Sequence, residues 1–356
     1  MSTPVLDLSG LTLNTAEAQN ESQIIAEIVY AKPELNAAHK IMTGIKMDQQ
    51  IPIFGLLGLV GKLDSSCSAL ESSEQIATSE KKWEPKVIGF RLPHCQRDID
   101  PLFKLWQVDM KTAGLWDSIE NPMVTFLDQR VIDASVESQL RISAFGDTSA
   151  LNVSGGGVIT NGVSVTFFTM LDGMWKQIFT AVTGDATLRI EIPENDGVSY
   201  SAQDNLSDDR AYSVLKALYN GADPRLKNQK DKVFEVTRSL ADNLEDYLEA
   251  KNLNAGFLER TENGKGSGLT YRGVPIIVRD DWDRNIRAYF DNGTTYDKPH
   301  RAVFTTLGNI PIGTADEGAL KSLDMFYDKT DRMHYIDVDY TLDVKVLENY
   351  LMKVAY

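Results

Sequence analysis

The chain contains few of the residues that carry metal and redox chemistry. Among its 356 residues it has 2 cysteines, Cys67 and Cys95, and 4 histidines. Two cysteines are too few for a disulfide framework and indicate a reducing compartment. The histidines form neither HxxxH nor HExxH, and the two cysteines have no paired spacing. The pattern is at most a weak zinc signal, and we predict no metal site and no cofactor.

Long apolar runs and excess positive charge are lacking as well. The longest apolar run, IPIFGLLGLVG at 51–61, is far shorter than the ~20 residues of a membrane-spanning helix. The start, MSTPVLDLSG, has neither the basic head nor the apolar core of a signal peptide, so we expect a cytoplasmic product. With 36 basic and 51 acidic residues, the net charge of −15 disfavours nucleic-acid and anionic-membrane binders.

Catalytic and phosphate-binding motifs are missing too. GxSxG is absent, GKGSG at 264–268 lacks the flanking strand and helix of a nucleophile elbow, and GGGVITNG at 155–162 is not GxGxxG. We therefore predict that the chain is not an enzyme. Apolar residues nevertheless make up 42%, which is enough for a sizeable core.

A strand that runs into carboxylates, TYRGVPIIVRDDWDR at 270–284, is the clearest candidate site. Asp280, Asp281 and Asp283 could bind a hard cation or form an acid/base pair. They could also mark the exposed end of a core strand at a contact with another subunit. No calcium-loop spacing surrounds them, so we favour the exposed strand end.

Several helices and strands follow from periodicity. A helix at 16–32 has one apolar stripe, which includes Ile24, Ile25 and Ile28. A long helix is predicted at 121–144, with Pro122 at its first position. Further predictions are a strand running into a helix at 162–182, helices at 208–226 and 232–252, a strand from 301, and a C-terminal strand in which apolar residues alternate from 338 to 346.

Residues 43–97 form two extended arms around a polar tip with too little apolar surface to fold alone. Such a loop rests on another surface. Its returning arm carries Lys81, Lys82 and Trp83. This basic arm suits either nucleic acid or an acidic neighbouring subunit.

The order of these segments resembles the major capsid protein of tailed bacteriophages, with the Hong Kong-ninety-seven-type capsid fold. The resemblance rests on the arm, the long loop, the long helix, and the strands YRGVPIIV and AVFTTLGNIPIGT. The segments RISAFGDTSA, GADPRL and SLADNL resemble members from phages of Bacteroidetes-type hosts. The resemblance implies an α+β fold with an N-terminal arm (1–42), an extended β-hairpin loop (43–97), a peripheral domain with a spine helix (98–145 and 316–356) and an axial α/β domain (146–315).

In function, the resemblance implies a structural protein of the virion that self-assembles, in the host cytoplasm, as hexamers and pentamers into an icosahedral shell around the phage genome. Implied partners are other copies of the chain, a portal protein at one vertex, scaffold and decoration proteins, and double-stranded DNA contacted non-specifically. Some members carry an N-terminal scaffolding extension that a protease removes. This chain begins almost directly at the arm, which implies a separate scaffold, none, or a processed form.

The residues expected at contacts between subunits are Ile24, Ile25, Ile28, Lys81, Lys82, Trp83, Asp280, Asp281 and Asp283. An encapsulin-like nanocompartment shell, which shares the fold, is the alternative within self-assembly. A carbohydrate hydrolase using Asp280 and Asp283, or a monomeric binding module, would be alternatives of other classes.

Overall fold

The computed structural model describes residues 37–54, 78–95, 104–108, 110–112, 122–251, 268–315, 322–328, 330 and 333–356. Its strands are β1 Ile41–Met42, β2 Gln50–Phe54, β3 Thr78–Lys82, β4 Lys86–Cys95, β5 Arg189–Ile190, β6 Lys232–Val236, β7 Thr270–Tyr271, β8 Val274–Val278, β9 Ala302–Thr306, β10 Ile312–Gly313, β11 Ser322–Asp328, β12 Met333–Val344 and β13 Met352–Ala355. Its α-helices are α1 Pro122–Phe145, α2 Met174–Gly184, α3 Tyr200–Asp204, α4 Arg210–Gly221, α5 Pro224–Lys227, α6 Arg238–Ala250 and α7 Asp280–Tyr289. Within these ranges, no helix combines the length and the apolar character needed to cross a membrane.

Helix α1 is the long helix predicted from the sequence, and the prediction is confirmed. Pro122 is its first residue, where a missing backbone N–H removes no helical hydrogen bond. The helix ends where the N–H of Gly146 donates to the carbonyl oxygen of Ile142 at 2.9 Å. A Cβ at Gly146 would lie 2.4 Å from the backbone oxygen of Leu171, so the chain can turn here only with glycine.

The first sheet has five strands and is built around β12. Strands β4 and β11 pair antiparallel with β12, β10 pairs with its last two residues, and β1 pairs parallel with β10. The predicted C-terminal strand is present as β12, and its alternation holds as far as Tyr340: Ile336, Val338 and Tyr340 are buried, whereas Asp337 and Asp339 are partly exposed. From Tyr340 to Val344 every side chain is buried, so this part of the strand is covered on both faces.

The predicted long loop begins as a hairpin. Strands β2 and β3 form a two-stranded antiparallel sheet in which Gln50 lies opposite Lys82 and Phe54 lies opposite Thr78. The chain then continues into β4, which runs along β12 with Lys86 opposite Leu342. The polar tip of the loop lies outside the described residues.

The second sheet has six strands in the order β5-β13-β9-β6-β8-β7. Helices α4 and α6 contribute to one core against it, together with Phe234 of β6 and Phe304 of β9, whose ring centroids are 4.4 Å apart. Strand β13 pairs with β9 and β5, so Met352–Ala355 share this sheet with strands from 146–315. The division into peripheral and axial domains stays a prediction.

Several predicted elements differ in the structure. The predicted helix at 208–226 is two helices, Arg210–Gly221 and Pro224–Lys227. Residues 232–252 are not one helix, because Lys232–Val236 form β6 and the helix begins at Arg238. β6 lies between β9 and β8, and its valine and phenylalanine side chains suit a strand buried on both faces. Residues 162–173 form turns and a short 3-10 helix, Val165–Phe167, rather than a strand, although the helix that follows them is present as α2.

Candidate assembly surfaces and the buried charge network

Trp83 anchors the base of the β2–β3 hairpin on the five-stranded sheet. Its side chain is 1% exposed, and its backbone N–H donates to the carbonyl oxygen of Gln49 at 3.0 Å. A Cβ at Gly313 would lie 2.8 Å from ring atom Cζ3 of Trp83 and 2.6 Å from Cδ1 of Ile45. The indole therefore occupies space that only glycine leaves open. The side chain of Trp83 is thus buried within its own subunit, and its place at a contact between subunits stays a prediction.

The two neighbouring lysines differ in their surroundings. The Nζ of Lys81 donates to the carbonyl oxygen of Val346. Burial, and then repulsion from Lys345, lowers the pKa of Lys81. The side chain of Lys82 is 47% exposed, and its Nζ lies 3.9 Å from the Glu80 carboxylate. Lys82 is thus accessible to another subunit, whereas Lys81 secures the hairpin to its own.

The three aspartates after β8 open a helix. Strand β8 ends at Val278, and Asp280 is the first residue of α7. The predicted exposed strand end is therefore corrected to the first turn of a helix, where negative side chains interact favourably with the helix dipole. An acid-rich first turn is itself a helix-start signal, which the sequence interpretation missed. Arg272 and Gly273, with φ angles of 53° and 72°, also form a turn that splits the predicted strand into β7 and β8.

Asp280 and Asp283 join α7 to the start of α6. Asp280 accepts hydrogen bonds from Nε and Nη2 of Arg238 at 2.6 and 2.8 Å. Asp283 accepts one from the backbone N–H of Arg238 at 2.6 Å. Burial raises the pKa of Asp283 to about 6, against the lowering effect of its backbone hydrogen bonds. Asp280 is 60% exposed, so it combines this internal pairing with an accessible carboxylate.

Asp281 belongs to a buried charge network. Nε and Nη2 of Arg279 donate to its two carboxylate oxygens, both at 2.9 Å, in the forked geometry that suits a guanidinium. Nη1 of Arg279 donates to Oε2 of Glu235 at 2.6 Å. The exposed fractions of these three side chains are 3% or less. Both carboxylate oxygens of Asp281 are therefore paired within the subunit, and its contact with another subunit stays a prediction.

His39, near the end of the predicted N-terminal arm (1–42), contacts this network. Its Nδ1 lies 3.0 Å from the carbonyl oxygen of Ile310, which can only accept, so Nδ1 carries the proton. Its Nε2 lies 3.1 Å from Nη1 of Arg279 and 3.4 Å from Oε2 of Glu235. Burial acts to raise the pKa of Glu235, but His39 and Arg279 outweigh it and the pKa is lowered. His39 therefore holds the end of the arm beside Glu235 of β6.

These arrangements offer positioning rather than chemistry. The carboxylates of Asp280 and Asp283 are engaged by α6, and neither residue lines the clefts of about 370 and 570 Å³ that described residues form. In the part of the chain that the structure describes, no group of three or more His, Cys, Asp or Glu side chains is placed to hold a metal ion. Ile24, Ile25 and Ile28 lie outside that part.

Comparisons with known proteins identify the fold. No protein-family model and no curated protein sequence matches the chain. A chain of the satellite phage P4 procapsid, a structure including the size determination (Sid) protein, matches with a TM-score of 0.52 at 12% identity, over 93% of this chain and 97% of that one. A chain of the capsid of Ralstonia phage GP4 matches with a TM-score of 0.51 at 8% identity, over 91% and 87%. The chain has the α+β Hong Kong-ninety-seven-type capsid fold that the sequence predicted.

Proposed function

We propose that the chain is the major capsid protein of a tailed phage, and that its copies assemble as hexamers and pentamers into the icosahedral shell that encloses the genome. The observation that carries this proposal is the fold match, which extends over nearly the whole chain and over nearly the whole procapsid chain.

The β2–β3 hairpin supports self-assembly. A two-stranded hairpin is at best marginally stable by itself in water. Here Trp83 and Lys81 hold its base on the subunit. The rest of the loop gains a supporting surface when it lies over a neighbouring copy. Lys82 and Asp280, both exposed, remain the accessible members of the contact set predicted from the sequence.

The partners of such a shell follow from its task. The proposed partners are the portal protein at one vertex, scaffold and decoration proteins, and packaged double-stranded DNA. The net charge of −15 favours weak, non-specific contact with DNA, because an acidic wall does not gain from counterion release. The mature location is the virion, after assembly in the host cytoplasm, and the role is structural rather than enzymatic. The compared particles are phages, which favours a phage shell over an encapsulin-like one.

Microscopy of the purified chain tests the proposal. Negative-stain images and size-exclusion chromatography should show capsomers or closed shells when the chain is expressed alone or with the scaffold gene of its phage. A chain that stays monomeric at high concentration in both settings would contradict self-assembly and favour a monomeric binding module.

A further inference from the structure

The exposed face of helix α6 is mostly acidic, with Arg238 at its start and Lys251 just after its end. Its buried side chains pack against the second, six-stranded sheet; they are Leu240, Ala241, Leu244 and Leu248. The opposite face exposes four carboxylates at positions i, i+3, i+4 and i+7: Asp242, Glu245, Asp246 and Glu249. Like charges at these spacings repel one another and destabilise a helix. Among the described residues, the closest cation is Arg238, whose Nη1 lies 3.9 Å from Asp242, and the other three carboxylates form no ion pair.

A cluster of cations lies at the end of the sheet where β6 and β8 begin. We call Lys227, Lys232 and Arg272 the cationic cluster. Lys227 and Arg272 both donate to Asn220, to its carbonyl oxygen at 2.9 Å and to its Oδ1 at 3.2 Å. The Nζ of Lys232 donates to the carbonyl oxygens of Lys227 and Gln229 at 3.1 and 2.9 Å. Asn220 thus holds Lys227 and Arg272 near each other, and Lys232 binds the backbone of Lys227 beside them.

The cationic cluster is positioned without being neutralised. Lys227 and Arg272 lie over the ring of Tyr219, at 5.8 and 4.9 Å from its centroid. Aromatic faces attract cations but leave their net charge unchanged. The nearby Asp223 is held by the guanidinium of Arg225 at 2.9 Å. In the described part of the chain, none of the three cluster cations forms an ion pair with a carboxylate.

The cationic cluster, at the end of the six-stranded sheet where β6 and β8 begin, and the acidic face of α6 are complementary in charge. We propose that the cationic cluster of one copy binds the acidic α6 face of the next copy, an inference that rests on the proposed function. Joined head to tail, the two surfaces make a heterologous contact, and repeated heterologous contacts form a ring where the rotation between copies closes. Rings are the form of the proposed hexamers and pentamers.

Nucleic acid is the other class of partner that a cationic cluster could bind. The protein contact is favoured because it also relieves the repulsion along α6, which DNA would not do. The chain's overall negative charge further disfavours DNA. DNA binding by the cationic cluster is therefore measured as well, and it would count against the contact between copies.

Charge reversal tests the contact. One variant combines Glu245→Lys with Glu249→Lys, a second combines Lys227→Glu with Arg272→Glu, and a third carries all four changes. The control, Glu191→Lys with Asp208→Lys, alters the net charge as the first variant does, at two exposed carboxylates outside α6. Circular dichroism and thermal unfolding check each fold. If a reversal variant does not fold, glutamine at the same positions replaces it.

Sedimentation gives the protein concentration at which half of the chains are assembled. Each reversal pair should raise this concentration about tenfold or more, because like charges then face each other across the contact. The four-fold variant should return it close to the wild-type value, and the control should not change it. Glutamine variants should show a smaller rise.

Three results would overturn the contact. The contact is wrong if wild type and both reversal pairs assemble equally well. It is also wrong if the four-fold variant assembles no better than either pair. A cluster variant that assembles normally but loses binding to a short DNA duplex, measured by fluorescence anisotropy, would assign the cluster to nucleic acid. A wild-type chain that never assembles would instead overturn the proposed function and this contact together.

Discussion

At the scale of single residues, the strongest constraint is the buried network around Arg279. Its guanidinium serves two carboxylates, Glu235 and Asp281, that are almost without solvent contact. Removing one partner of a buried ion pair leaves an uncompensated charge, which is far more costly than losing an exposed pair. One side chain therefore links β6 to the first turn of α7.

We predict that Arg279→Met lowers the free energy of unfolding of the unassembled subunit by about 3–5 kcal/mol, because it strands two buried carboxylates. The matched control is Arg284→Met, which removes an exposed guanidinium that pairs with Glu137 and should change stability by about 1 kcal/mol or less. Urea unfolding followed by circular dichroism measures both. Equal effects of the two substitutions would contradict the role given to the network.

A second residue-scale prediction concerns pH. Burial raises the pKa of Asp283 to about 6 from the ordinary 3.8, so between these values the folded chain binds more protons than the unfolded chain at this site. The contribution of Asp283 to stability then falls as pH rises through this window and is constant above it. The stability of wild type relative to Asp283→Asn should drop by about 1.4 kcal/mol per pH unit between pH 4 and 6. A difference that does not vary with pH would show that the pKa is not raised.

At the scale of elements, the hairpin depends on a close contact between Trp83, which follows β3, and Gly313 of β10. Trp83 packs on Gly313, and a methyl group there would have to displace the indole. We predict that Gly313→Ala destabilises the subunit by about 1–3 kcal/mol through overpacking. Gly308→Ala is the control, because a Cβ at Gly308 meets nothing within 4 Å.

Thermal unfolding and tryptophan fluorescence distinguish the two alanine substitutions. In a Trp83→Ala background, Gly313→Ala should cost less, because the indole is gone and only the end of the Ile45 side chain remains to be displaced. If Gly313→Ala is equally harmful with and without the indole, the contact between these two residues does not explain the need for glycine.

Elements with a strong local period could be predicted from sequence, and those set by tertiary contacts could not. Helix α1 and strand β12 show their period over many residues, and both were predicted. The five residues of β6 were joined to the following helix, because a short apolar run carries no period of its own. Trp83 is buried against Gly313, which is distant in the sequence. Asp281 is buried through its pairing with Arg279, which the sequence placed in an apparent strand end. A local sequence pattern could show neither.

At the scale of the whole molecule, the order of segments was more informative than any motif. The arm, the loop, the long helix and the late strands identified the fold through their succession, although no family model matches the chain. The predicted interface residues fared less well: two are buried in their own subunit, and the three isoleucines lie outside the described residues. The order of segments along the chain indicates the topology, whereas the exposure of a residue depends on the tertiary packing of the subunit.

A molecule-scale prediction concerns the loop tip, residues 63–77, which lies outside the described residues. Replacing it with a short Gly-Ser turn should leave the thermal unfolding of the unassembled subunit unchanged, because the tip has no periodic apolar face. Assembly should weaken, because the loop loses its contact with a neighbouring copy. A lowered melting temperature of the unassembled subunit would place the tip in the subunit's own core.

Native mass spectrometry of the purified wild-type chain, with electron microscopy of the same sample, tests the central claim most directly. The capsid account predicts masses of pentamers, hexamers or closed shells, and icosahedral particles where shells form. A single species with the mass of one chain, at high concentration and with the phage's scaffold present, would contradict it.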